Sequence, residues 1–235
     1  MSRFLLFICL AAGLQACYDV HADKMGYYEH GQYYFWNGNH GQGEMKDGKK
    51  EGTWMFRDEF RRLTAMGSYL NDSMHGTWFM YYPNGVTRGA GPMRGNAEQG
   101  HWILRREDGT KESEGTFKDG IREGEWTYYH ANEQKMSEGR LTNENRVGKW
   151  NFYYASGQKK ETRVYENGLN MLAESFFPDG RTMVVNGDGT YEYWENGKVL
   201  EKGAYADSLA TGEWSFFDSE GNLTGTRVFV GGIGP

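Results

Sequence analysis

A glycine, a variable residue and a tryptophan recur along this chain at an almost constant step. Gly52-Thr53-Trp54, Gly76-Thr77-Trp78, Gly100-His101-Trp102, Gly124-Glu125-Trp126 and Gly148-Lys149-Trp150 each begin 24 residues after the one before, and Gly212-Glu213-Trp214 returns after an irregular stretch. A fixed period of this size describes an array of small units that shelter one another, not a single enzyme fold. It overrides the one or two compact domains that 235 residues would otherwise suggest.

Each unit carries its own punctuation. Nine residues before each Gly-x-Trp stands a second glycine: Gly43, Gly67, Gly91, Gly115, Gly139 and Gly203. Turn pairs such as Asp47-Gly48 and Asp119-Gly120 lie between the two glycines, and Asn84-Gly85, Asp108-Gly109, Ser156-Gly157 and Glu220-Gly221 follow the tryptophans. Asp-Gly and Asn-Gly supply the positive φ of tight hairpin turns. Each unit therefore reads as strand, turn, strand, turn, with a turn every ~12 residues. The glycine of Gly-x-Trp either admits a neighbouring ring or backbone at close range or relaxes a bulge; both readings stay open.

Residues two apart on a strand share a face. Met45, Tyr69, Met93, Phe117, Leu141 and Tyr205 follow the upstream glycines by two, and Phe56, Met80, Leu104, Tyr128, Phe152 and Phe216 follow the tryptophans by two. With Trp54, Trp78, Trp102, Trp126, Trp150 and Trp214 they form three apolar columns, the structural core of the repeat. The other face varies: Met55, Phe79, Ile103, Thr127, Asn151 and Ser215, then Arg57, Tyr81, Arg105, Tyr129, Tyr153 and Phe217. Variation on a regular scaffold is where specificity is expected, and Phe79, Tyr81, Tyr129, Tyr153 and Tyr154 form the candidate interaction face. Such rings also suit stacking on carbohydrate.

After Trp150 the step slips. Phe176-Phe177-Pro178-Asp179-Gly180 reads as the end of a unit without its Gly-x-Trp, and Tyr191 to Gly197 as another, shortened upstream. Sequence drift with strands retained is the expectation for residues 160–190.

The net charge of −6 and a pI of about 5.6, without a Lys/Arg run, argue against nucleic acid as partner. Met1 to Ala16 reads as an export signal: Arg3 is its positive charge, and Phe4 to Leu14 is an apolar run too short to span a bilayer. Leu14-Gln15-Ala16-Cys17 resembles a bacterial lipobox, which implies a lipid on Cys17, a tether over 17–26 and the array over 27–235. Tyr18 after the cysteine resembles the outer-membrane sorting pattern, so the expected location is the cell envelope, as an outer-membrane lipoprotein. Cleavage after Ala22 is the alternative and gives a periplasmic or secreted protein. Cys9 and Cys17 are the only cysteines, so the repeats hold no disulfide framework.

Chemistry is hard to find. None of His21, His30, His40, His75, His101 and His130 pairs with a second ligand at a metal-like spacing, and no nucleophile elbow or phosphate-binding loop occurs. Glu123 with Glu125 and Glu161 with Glu166 read as solvated surface carboxylates. The expectation is no catalytic residue, metal or cofactor.

The recurring turn, Gly-x-Trp, aromatic pair and second turn resemble MORN-type repeats, in the variant seen in the YwqK family, whose members carry the label of antitoxin component. Gly115 to Tyr129 and Gly148 to Tyr154 carry the likeness most fully, and it extends from about Tyr27 to Phe229. The resemblance implies an all-β, elongated, single-layer antiparallel sheet of about eight or nine hairpins. The function expected is a non-catalytic protein-interaction or scaffold module at the envelope. Carbohydrate or peptidoglycan binding and neutralisation of a toxin by direct contact are the alternatives.

Overall fold

The computed structural model describes residues 39–232 in full and the backbone of residues 26–29 and 32–35. The expected signal segment, Cys17, His21, His30 and most of the tether lie outside the described residues. Every regular element among the described residues is a β-strand. The chain divides into two units, residues 1–109 and 110–235.

The first unit holds β1 (Gly26–Glu29), β2 (Gln32–Phe35), β3 (His40–Lys46), β4 (Lys49–Arg57), β5 (Leu63–Leu70), β6 (Ser73–Tyr81), β7 (Thr87–Arg94), β8 (Ala97–Glu98) and β9 (Gly100–Arg105). The second holds β10 (Lys111–Lys118), β11 (Ile121–Tyr129), β12 (Lys135–Thr142), β13 (Asn145–Tyr153), β14 (Lys159–Glu166), β15 (Leu169–Phe176), β16 (Thr182–Val185), β17 (Asp188–Glu195), β18 (Lys198–Ala206), β19 (Leu209–Phe217) and β20 (Leu223–Phe229). Within each unit successive strands pair antiparallel, and β8 and β9 both pair with β7. The all-β hairpin succession expected from the period is the architecture observed, with four hairpins among the described residues of the first unit and five plus β20 among those of the second.

The two glycines of each repeat serve different ends. The glycines of Gly-x-Trp, at positions 52, 76, 100, 124, 148 and 212, have φ between +63° and +78°. At Gly124, Gly115 pairs with Trp126 and Thr116 with Glu123, so Gly124 and Glu125 bulge from the ladder. A left-handed residue at a bulge costs glycine nothing. The upstream glycine is instead the one a ring approaches. A Cβ at Gly43, Gly67, Gly91, Gly115, Gly139 or Gly203 would sit 2.2–2.5 Å from the indole of that repeat's tryptophan. Each indole thus lies flat on a backbone that has no side chain.

The bulge also supplies the indole's partner. Each Nε1–H donates to the carbonyl just after the upstream glycine, at the register shift: Trp54 to Glu44 (3.1 Å), Trp78 to Ser68 (3.2 Å), Trp102 to Pro92 (3.0 Å), Trp126 to Thr116 (3.1 Å), Trp150 to Arg140 (3.0 Å) and Trp214 to Ala204 (3.2 Å). A buried indole N–H needs such a partner. The next column packs the rings together: Phe56 lies 5.9 Å from Trp54 and 6.1 Å from Trp78, while Tyr69 meets Trp78 edge-on at 5.3 Å. The six tryptophans of the repeat are all buried.

Turns bind neighbouring repeats along both edges. On one edge, Asp72 accepts from Lys50 N (2.6 Å), Asn96 from Met74 N (2.8 Å) and Glu144 from Arg122 N (2.8 Å). On the other, Tyr82 donates to Arg105 O (2.9 Å), Asn84 to Glu107 O (2.8 Å), Asn132 to Ala155 O (2.7 Å) and Tyr154 to Phe176 O (2.9 Å).

The irregular stretch keeps its strands and changes its packing. Arg163 stands at the glycine phase (139 + 24) and Glu174 at the tryptophan phase (150 + 24). Leu172 takes the buried place opposite Arg163, where no indole lies on a glycine, and packs in a cluster with Met183, Val184, Tyr191 and Trp214.

Candidate functional site

The face opposite the tryptophans differs between the two units. In the first, the register aligns Met55 with Met66, Met66 with Phe79, Phe79 with Ala90 and Ala90 with Ile103. An unbroken apolar row therefore crosses five strands on the face that no tryptophan uses. Phe79 is 36% exposed, and the other four are half-buried. Beyond the row stand Arg57, Tyr81 and Arg105. Arg57 donates to Arg61 O at 3.3 Å and Arg105 to Gly109 O at 3.1 Å, and among the described residues neither guanidinium meets a carboxylate.

The second unit places polar groups at the same register positions: Glu114, Thr127, Glu138, Asn151, Thr162 and Glu174. Lysine, carboxylate and tyrosine repeat there as a triad. Lys111 pairs with Glu114 at 3.1 Å, and Tyr129 donates its hydroxyl proton to the same carboxylate. Lys135 pairs with Glu138 at 2.7 Å, and Tyr153 donates to it at 2.5 Å. Burial, then the Glu138 carboxylate, push the Tyr153 phenol up to about 12. The same causes, with Glu114 as the partner, push Tyr129 higher still. Glu138 is held below the usual carboxylate range by its bonds from Lys135 and Tyr153.

The five residues of the candidate face thus fall in different places. Phe79 and Tyr81 share the outward face of the first unit, and Tyr129 and Tyr153 that of the second. Tyr154 lies beyond the end of β13, adjacent to Tyr153, where its hydroxyl ties one hairpin to the next.

The expectation that Glu161 is a solvated surface carboxylate is corrected. Glu161 is 8% exposed and lies on the tryptophan face, where Arg163 Nε and Nη2 donate to its two oxygens at 2.8 and 3.2 Å. Tyr191 reaches the same carboxylate at 3.5 Å. Burial works against the Arg163 charge, but the Glu161 carboxylate outweighs it and raises the guanidinium's pKa. A buried charge survives only with such a partner. Glu161 and Arg163 carry the phase of Ser137 and Gly139 (each plus 24), which is the signal that places them inward. Glu123 accepts from Asn143 N at 2.9 Å on the turn edge, and Glu125 is exposed. Among the described residues no three His, Cys, Asp or Glu side chains gather at a metal-like distance.

Four segments of the chain, residues 74–92, 122–143, 146–167 and 188–207, match a family model described as a MORN repeat variant. These four segments are similar to MORN repeats, and repeats of that kind are generally protein- or membrane-interaction modules. No match was found among curated proteins. A solved structure described as "Crystal Structure of TcdB2-TccC3-Cdc42" is 10% identical with a TM-score of 0.19; the match covers 84% of this chain and 12% of that one.

Proposed function

We propose that this chain is a non-catalytic interaction module of the cell envelope that docks a partner protein on the outward face of its first unit. The apolar row Met55–Met66–Phe79–Ala90–Ile103 supports this reading most directly. Apolar side chains in contact with one another and open to water mark an interaction surface. Arg57 and Arg105, without carboxylates of their own, favour a partner that brings acidic groups beside apolar ones. A YwqK-like antitoxin is the special case in which that partner is a toxin. The lipobox-like segment ending at Cys17 supports export and a lipid anchor, with the outer membrane as the proposed location.

A photo-crosslinker at Ala90 in the otherwise native chain should trap one discrete partner protein in cells. Phe79→Asp should abolish that adduct and shift stability by less than roughly 0.5 kcal/mol, as for a surface change. An unchanged adduct refutes docking on this face. A fatty-acid probe should label the wild type and not Cys17→Ala; absence of label from the wild type removes the anchor.

A further inference from the structure

Five consecutive hairpins of the second unit repeat one local feature. The register shifts at Tyr128/Tyr129, Phe152/Tyr153, Ser175/Phe176, Tyr193/Trp194 and Phe216/Phe217. The second residue of each pair is aromatic: Tyr129, Tyr153, Phe176, Trp194 and Phe217. All five are half-buried, so each ring is supported from beneath and partly open. At the corresponding shifts in the first unit stand Arg57 and Tyr81. The unbroken aromatic row is a property of the second unit.

Folding does not require this row, because the tryptophan face supplies the core. Trp194 is the tryptophan of the second unit that stands outside the Gly-x-Trp phase. It and Phe217 line a groove of about 420 Å³ together with Glu192, Lys198, Val199, Lys202, Glu220 and the turn glycines Gly197 and Gly221. The indole Nε1–H donates to Glu192 Oε2 at 2.9 Å, which fixes the ring and leaves Oε1 as an acceptor. Lys202 Nζ sits 5.4 Å from the Phe217 ring centroid, and Lys198 holds the neighbouring turn through Ser219 O at 2.8 Å.

Two carboxylates and two ammonium groups line this groove, so its charge sums to zero and favours neither anion nor cation. Aromatic rings beside alternating donors and acceptors suit a ligand with one apolar face and a rim of hydroxyls. A pyranose ring has that form. Successive hairpins lie two strand spacings apart, about 9.6 Å, close to the disaccharide step of an extended β-linked glycan. The carboxylates beside Tyr129 and Tyr153 place further hydroxyl acceptors along the row.

We propose that the Trp194–Phe217 groove is a subsite for a neutral sugar ring, and that Phe176, Tyr153 and Tyr129 extend it into a platform for a β-linked glycan. This goes beyond the protein-docking reading and uses a different unit.

The test is titration calorimetry of the full chain with β-1,4-linked hexasaccharides of N-acetylglucosamine and of glucose, and with their disaccharides. At least one hexasaccharide should bind, and more tightly than its disaccharide. Trp194→Ala should weaken it by roughly tenfold, while Trp194→Phe, which keeps a stacking face, should retain most of the affinity. Phe79→Ala should leave it unchanged. Thermal melts establish that each variant is folded, and an unfolded Trp194→Ala passes its role to Phe217→Ala. Absence of hexasaccharide binding overturns the proposal, and so does equal affinity in the wild type and a folded groove variant. Protein docking is read separately, through the Ala90 crosslink.

Discussion

A methyl group added to either glycine of one repeat should destabilise it by a different mechanism. At Gly139 a Cβ would lie 2.5 Å from Trp150 Cδ2, whereas ordinary contact begins near 3.4 Å, so the ring must retreat by about 0.9 Å (3.4 − 2.5). Trp150 is fully buried, and its indole N–H is held by Arg140 O at 3.0 Å. Overpacking of this kind costs about 1–3 kcal/mol, and stretching the indole bond adds about 1 kcal/mol. Gly139→Ala should therefore cost about 2–4 kcal/mol. At Gly148 the added atom meets nothing within 4 Å, but φ is +63°. That strain costs a non-glycine residue about 1–2 kcal/mol. Asparagine, which tolerates the left-handed region, should recover part of the loss at 148 and deepen it at 139. Arrays need not unfold in one step, so the assay is amide hydrogen exchange of β12 and β13, which reads the local opening free energy. Equal costs at the two sites, or a rescue by asparagine at 139, would refute the division of labour between the glycines.

Glu161→Ala should cost about 3–5 kcal/mol because it strands the Arg163 charge, and the double variant Glu161→Leu with Arg163→Met should recover most of that in urea denaturation. The Tyr153–Glu138 pair should shape stability at both ends of the pH scale. The folded Tyr153 phenol keeps its proton to about 12, against 10.0 for the unperturbed group, so the unfolded chain binds fewer protons in that window and stability falls as pH rises from about 10 to 12. Glu138 is lowered in the folded state, so its contribution is complete above its ordinary value of 4.5 and is lost as pH falls through the depressed one. Melting temperature against pH should lose part of its alkaline slope in Tyr153→Phe, the rest coming from other raised phenols such as Tyr129, and part of both slopes in Glu138→Gln; parallel curves for all three proteins would count against the pairing.

Much of the fold could be read from spacing alone, because the constraint repeats. A 24-residue step with turn pairs halfway fixes hairpins, and parity along the strands then fixes which side Trp54 or Phe152 must take. The job of each glycine could not be read this way. A left-handed bulge residue and a residue that receives a ring are both simply glycine in the sequence, and only the register shift at Gly115/Thr116 distinguishes them. Glu161 escaped because its partner lies two residues along, and the stretch around it lacks the tryptophan that marks phase. Counting 24 from Ser137 places it inward. Met66 and Ala90 belong to the outward row but lie on first strands, beside Gly67 and Gly91, whose phase marks the opposite, core face. Tyr154 resembles Tyr153 in residue type, but it lies past the end of β13, where strand parity no longer assigns it a face.

The contrast between the units carries more weight than any single residue in it. Both fold as the same hairpins, with the same indole on the same glycine and the same bonded carbonyl at the shift. Requirements of folding are therefore equal at Ile103 and Thr127, or at Met66 and Glu138, which occupy matching register positions. In the second unit the outward groups satisfy one another through Lys–Glu–Tyr triads. In the first, apolar side chains face water, and two arginines reach backbone carbonyls instead of carboxylates. Hydration of an apolar row is unfavourable, and a sequence able to write glutamate and threonine there in one unit does not do so in the other. This difference is the common ground of the two proposals, an acidic, apolar protein surface for the first unit and a neutral hydroxylated ligand for the second.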